Sequence, residues 1–98
     1  MTENQACVQS IAEELEEKGV WEFFKEQDIY DVEFTVDSNL DFKSGRVMIA
    51  CGGPNIFVDS RSGSVDLYWW LDEAHWFLSS DCRAELDNYL EELYQMSH

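Results

Sequence analysis

From Tyr30 to Asp37 apolar and polar side chains alternate one for one, with Tyr30, Val32, Phe34 and Val36 on one side and Asp31, Glu33, Thr35 and Asp37 on the other. A period of two sends successive residues to opposite faces of an extended strand. Such a strand belongs to a sheet with one apolar face to cover and one polar face left in water, the arrangement typical of antiparallel sheets. Helices are then needed on one side only, and two segments supply them. Val8, Ile11, Ala12 and Leu15 recur at helical spacing between a Thr2/Gln5 capping pair and Lys18-Gly19. Val20 to Phe24 follows as a short second helical turn, with Gly19 as the joint. Near the other end, Ser79-Ser80-Asp81 offers caps for a last helix whose stripe runs Cys82, Leu86, Tyr89, Leu90, Leu93 and Met96, ending near Ser97.

Between these helices, Ser38 to Ser44 is polar around one Phe42 and reads as a loop, and Arg46 to Cys51 is nearly continuous in apolar character, as a central strand would be. Gly52-Gly53-Pro54 breaks it. Asn55 to Asp59 and Val65 to Leu71 form a third and a fourth strand, paired through a Ser60-Arg61-Ser62-Gly63 hairpin whose glycine suits a left-handed position. His75 and Trp76 fall in an aromatic loop before the last helix. With 98 residues there is material for one core. The expectation is one α+β domain over residues 1–98, a four-stranded antiparallel meander with an N-terminal and a C-terminal helix in the order αββββα.

Charge narrows the function. Twenty-one Asp and Glu against 6 Lys and Arg give a net charge of -15, while 45% hydrophobic and 14% aromatic residues separate the chain from acidic disordered tails. Direct binding to nucleic acid or to anionic membrane is disfavoured, since phosphate contacts need Lys and Arg. A basic protein surface is the complement. Cys7, Cys51 and Cys82 are widely spaced and odd in number, as for reduced thiols in a cytoplasmic protein, and no apolar run is long enough to span a membrane.

No motif fixes a chemistry, so neither a catalytic set, a metal site nor a cofactor is expected. Cys51 and His75 are the one thiol–imidazole combination away from terminal His98, and nothing in their spacing brings them together. Asp37-Ser38-Asn39-Leu40-Asp41 starts like a calcium loop, but Phe42 stands where glycine is required and Met48 where a bidentate Glu should close it. Gly52-Gly53-Pro54 lacks the Lys and Ser or Thr of a phosphate cradle.

Surface pattern remains. Alternate strand residues lie about 6.6–6.8 Å apart and helix residues four apart lie about 6 Å apart, near the roughly 6–7 Å between successive phosphates of a nucleic-acid strand. Asp31, Glu33 and Asp37 on the first strand, and Asp81, Glu85 and Glu92 on the last helix, could each present a phosphate-like row, with Asp66 on the fourth strand between them. Alternation cannot bury both Trp69 and Trp70 on one side, so Trp70 and Trp76 are candidate anchors for a partner or for a homodimer.

In size, acidity and lack of a catalytic signature the chain resembles the small anti-defence proteins of phages and mobile elements, the anti-CRISPR and antirestriction proteins that mimic nucleic acid. The stretch Cys51 to Ile56, followed by Val65 to Trp70, is also similar to a signature of small bacterial and phage-borne proteins, which implies no activity. The resemblance implies an inhibitor of a basic nucleic-acid-binding protein, a nuclease or CRISPR effector, acting by steric or mimicry-based block. An immunity protein or antitoxin against a toxin nuclease would use the same electrostatics, and a non-catalytic domain whose acidity serves only solubility would use none.

Overall fold

A computed structural model describes residues 2–50 and 53–97. Helix α1 spans Glu3–Lys18; the Thr2 hydroxyl accepts the Gln5 N–H at its start, and Val8, Ala12 and Leu15 form its buried stripe. Gly19 ends it at φ 87°, a conformation that favours glycine, and its N–H reaches Leu15 O. The break lets α2, Val20–Lys25, turn Val20, Phe23 and Phe24 into the same core. Strands β1 (Asp31–Val36), β2 (Phe42–Ala50), β3 (Asn55–Asp59), β4 (Ser64–Trp69) and β5 (Asp72–Phe77) follow, then α3, Ser80–Ser97.

The sheet is antiparallel throughout, in the order β1-β2-β3-β4-β5. Val32, Val47, Val58, Val65 and Trp76 are successive cross-strand neighbours. With Phe34, Ile56, Leu67 and Ala74 they make the face under the helices. Helix α1 lies on β4 and β5, α3 lies on β2, and α2 packs between the two helices. Leu15, Phe23, Leu67, Leu86 and Leu90 are fully buried at this interface. Phe24 stacks on Tyr89 at 4.9 Å, and Phe34, Phe42 and Tyr94 close the β1 end as an aromatic cluster.

The α+β class and the two flanking helices agree with the expectation, but the sheet has five strands and not four. Residues 72–77, expected as a loop, form β5, and β4 ends at Trp69, not Leu71. The turn between them is Trp70-Leu71, which lacks the Gly or Asn that normally announces a two-residue hairpin. The apolar run from Leu67 to Leu71 therefore hides a chain reversal. Strand β2 starts at Phe42 inside the expected loop, because Gly45 and Ser44 continue the ladder with β1 and Phe42 rejoins it opposite Val36 after a register shift that skips Lys43. Tyr30 precedes β1 and is exposed, and Met96 is exposed where Tyr94 is buried instead. Cys51, Gly52 and His98 lie outside the described residues, so the Cys51–His75 combination does too.

Candidate partner-binding surface

The face away from the helices carries the polar half of every strand. Asp31, Met48, Phe57, Asp66 and His75 stand side by side across all five strands. Glu33, Arg46, Asp59, Ser64 and Phe77 form the next row, and Asn55, Tyr68 and Glu73 a third on the other side. Although no helix covers this face, Phe57, Ser64 and Asp66 are buried, because their neighbours fold over them. Arg46 lies 4.3 Å above the Phe57 ring and grips Glu33 with two hydrogen bonds of 3.2 Å. Phe57 and Tyr68 meet edge to face at 6.0 Å.

Asp66 accepts a hydrogen bond from the Ser64 hydroxyl at 2.8 Å and pairs with His75 Nδ1 at 2.7 Å, both on the same oxygen. His75 Nε2 lies 3.4 Å from Glu73. The hydrogen bond to the Asp66 carboxylate, aided by Glu73 and opposed by burial, holds the imidazole pKa above its ordinary value. Ser64 is bonded to the carboxylate and not to the imidazole, so the trio lacks the nucleophile–base contact that acyl-transfer chemistry needs. Burial pushes the Cys82 thiol up to about 12, which disfavours its thiolate form.

The most exposed apolar feature is the β4–β5 hairpin tip. Trp69 and Asp72 close a turn whose two residues are Trp70, 88% exposed, and Leu71, fully exposed. Trp70 has φ 55°, a left-handed conformation that costs a non-glycine residue roughly 1–2 kcal/mol. Its ring meets Trp69 edge to face at 6.0 Å. Asp72, which follows Leu71, accepts a 2.8 Å hydrogen bond from Asn4 and so ties the hairpin to the start of α1.

The nine residues expected to meet a partner are dispersed. Asp31 and Glu33 share the open face, with Glu33 paired to Arg46. Asp37 leaves that row: its carboxylate accepts the N–H groups of Asn39 and Asp41 and builds the β1–β2 turn. Asp66 is buried in the network just described. Glu85 accepts the Val20 N–H at 2.7 Å and so caps α2. Asp81 and Glu92 are exposed on α3. Trp76 is half-buried and walls a groove of ≈ 410 Å³ with Ala12, Glu13, Glu16 and Glu17. The Glu16 carboxyl there is held below the usual carboxylate range, chiefly by the Ser79 hydroxyl. Leu71 and Phe77, both exposed, were not among the residues expected to meet a partner. Phe77 lies two residues beyond His75 on β5 and so shares the polar face, a placement hidden from the sequence because residues 72–77 read as a loop.

Comparison with family profiles, curated proteins and solved structures returned no match.

Proposed function

We propose that this chain is a non-catalytic inhibitor that docks on a basic nucleic-acid-handling protein and blocks the surface where nucleic acid would lie. The observation that carries the reading is the hairpin tip. A tryptophan in a left-handed turn, with almost all of its ring in water beside a fully exposed leucine, is unfavourable in the free protein on two counts. Insertion into a partner's apolar cleft offsets the second. Charge selects the partner: Asp72 and Glu73 directly follow the tip and the chain carries -15 overall, so a basic rim around that cleft is attracted over long range while a second copy is repelled.

Steric block is better supported than imitation of a phosphate row. Of the two rows considered, Glu33, Asp37 and Glu85 are each engaged within the chain, which leaves Asp31, Asp81 and Glu92 too scattered to follow a nucleic-acid strand. These carboxylates would steer encounter, and the tip would supply the desolvated anchor.

The test is a capture experiment from lysates of nuclease-bearing bacteria, with wild-type chain and Trp70→Ala as parallel baits, at low and high salt and with competing DNA. One basic nucleic-acid-binding protein should be retained by the wild type, released by DNA or salt, and lost with Trp70→Ala. Absence of any DNA-competed protein, or equal retention by both baits, overturns the reading.

A further inference from the structure

The sheet is open at both sides, and its β1 side is the less covered. Strand β1 pairs with β2 alone, while α1 lies on β4 and β5 and α3 lies on β2. The direction of its free backbone groups follows from its neighbour. Gly45 gives its N–H to the Ser60 hydroxyl at 3.0 Å, and its carbonyl accepts the Ser60 N–H at 2.9 Å, so both groups point to the β3 side. Met48 O is taken from the other side, by the Tyr30 N–H at 2.9 Å. Backbone groups alternate sides along a strand, so those of Ser44, Arg46 and Met48 point to β1. They engage Thr35, Glu33 and Asp31, which stand opposite. The N–H and C=O of Val32, between Asp31 and Glu33, therefore point out of the sheet at its edge.

Side chains at this edge are two-sided. On the helix face Val32 and Phe34 are only half-buried, whereas Val47 beside Val32 is fully buried. Ile29 and Tyr30, just before β1, are exposed. On the open face Asp31 and Glu33 reach water; Arg46 holds Glu33 from β2, and no Lys or Arg pairs with Asp31 among the described residues. A strand laid against β1 would continue both patterns, with apolar residues beside Val32 and Phe34 and a cation beside Asp31, since opposite charges are the favoured cross-strand pair. A second copy does not fit that requirement. Its β1 would bring the same carboxylates to the same face, and its charge of -15 would oppose the approach.

We propose that β1 is a docking edge that takes an extended segment of a partner protein as a sixth strand, a segment in which apolar residues alternate with Lys or Arg. Main-chain hydrogen bonds to Val32 supply the hold, and the alternating side chains supply the selection. The carboxylates also act against the wrong strand: charge on an exposed edge discourages pairing with acidic strands and with copies of this chain. The register shift at Thr35/Val36 limits the usable ladder to the first five residues of β1. This edge lies across the sheet from the β4–β5 hairpin and is independent of the inhibitor reading.

The experiment is a ¹H–¹⁵N NMR titration of the full chain with a short peptide alternating lysine and valine. A block peptide of the same composition controls for charge alone, and an alternating glutamate–valine peptide controls for its sign. The lysine–valine alternation should give saturable shifts centred on residues 31–35, slow the exchange of the Val32 amide, and bind about tenfold or more tightly than the block peptide. Asp31→Lys, at an exposed position, should weaken the lysine–valine peptide and strengthen the glutamate–valine one. Val32→Pro removes the outward N–H at a position where an edge strand tolerates proline, and it should weaken both alternating peptides. Asp31→Lys carries the test if Val32→Pro fails to fold. Equal binding of the block peptide, shifts centred elsewhere, or wild-type affinities in Asp31→Lys would overturn the proposal. Shifts at residues 31–35 on concentrating the chain without peptide would place a second copy on the edge and overturn it as well.

Discussion

Two residues on the β4–β5 hairpin show opposite relations between sequence and stability. Trp70 occupies a left-handed position at φ 55° with its ring in water, so its side chain contributes little to the folded state and the backbone pays for the conformation. Trp70→Gly should raise unfolding free energy by about 0.5–1 kcal/mol in urea melts, since glycine adopts that region freely. A loss of stability would mean that the Trp69–Trp70 contact outweighs the strain. His75 does the reverse. Its raised pKa, held chiefly by the Asp66 hydrogen bond, contributes stability that is fully present below the ordinary histidine value of about 6.5 and lost as pH rises through the higher folded value. The stability gap between wild type and His75→Gln should therefore shrink as pH rises from about 6.5 through the raised folded value. A gap that stays constant would show that the ion pair adds nothing beyond packing.

At the scale of elements, helix ends and hairpin turns fix the geometry. Ser79 caps α3 by accepting the Cys82 N–H at 3.2 Å, while Glu16 on α1 accepts both the Ser79 hydroxyl and its N–H. One serine thus joins the cap of the last helix to the first. Ser79→Ala should cost about 1 kcal/mol, the usual worth of such a cap, measured by thermal or urea unfolding. Gly63 is constrained twice, by φ 67° and by the Arg83 stem. Gly63→Ala should cost more than about 1 kcal/mol and shift the NMR resonances of Arg83; a neutral result would mean that the Arg83 stem moves aside. The elements legible in the sequence were those with a one-sided environment. β1 alternates because one face is wet, and the α3 stripe from Cys82 to Leu90 repeats because one side is covered. β5 was missed because Trp70-Leu71 turns the chain without turn residues. Three of the candidate site residues changed meaning for a related reason: Asp37, Asp66 and Glu85 are acceptors for groups elsewhere in the fold, and no pattern in sequence separates such a carboxylate from a solvated one.

For the whole molecule, a charge of -15 on 98 residues makes self-repulsion a standing term against the compact state. Among the described residues the Lys and Arg ion pairs are exposed and few, each worth at most about 1 kcal/mol, so screening should relieve more repulsion than it removes attraction. Raising NaCl from about 10 mM to about 500 mM, which shortens the screening length several-fold, should increase the urea midpoint at pH 7. A falling midpoint would show that the local pairs dominate. The sheet itself is assembled from neighbours: each strand pairs with the next in sequence, the arrangement of local contacts associated with fast folding. The helices depart from this, α3 by packing on β2 and α1 most of all. Helix α1 rests on β4 and β5, and Glu16 holds Ser79 across 63 positions of chain. On the ribosome, then, α1 emerges before the strands it rests on and must wait for its seat. Val8 and Leu15 lack their cover until β4 and β5 have been made.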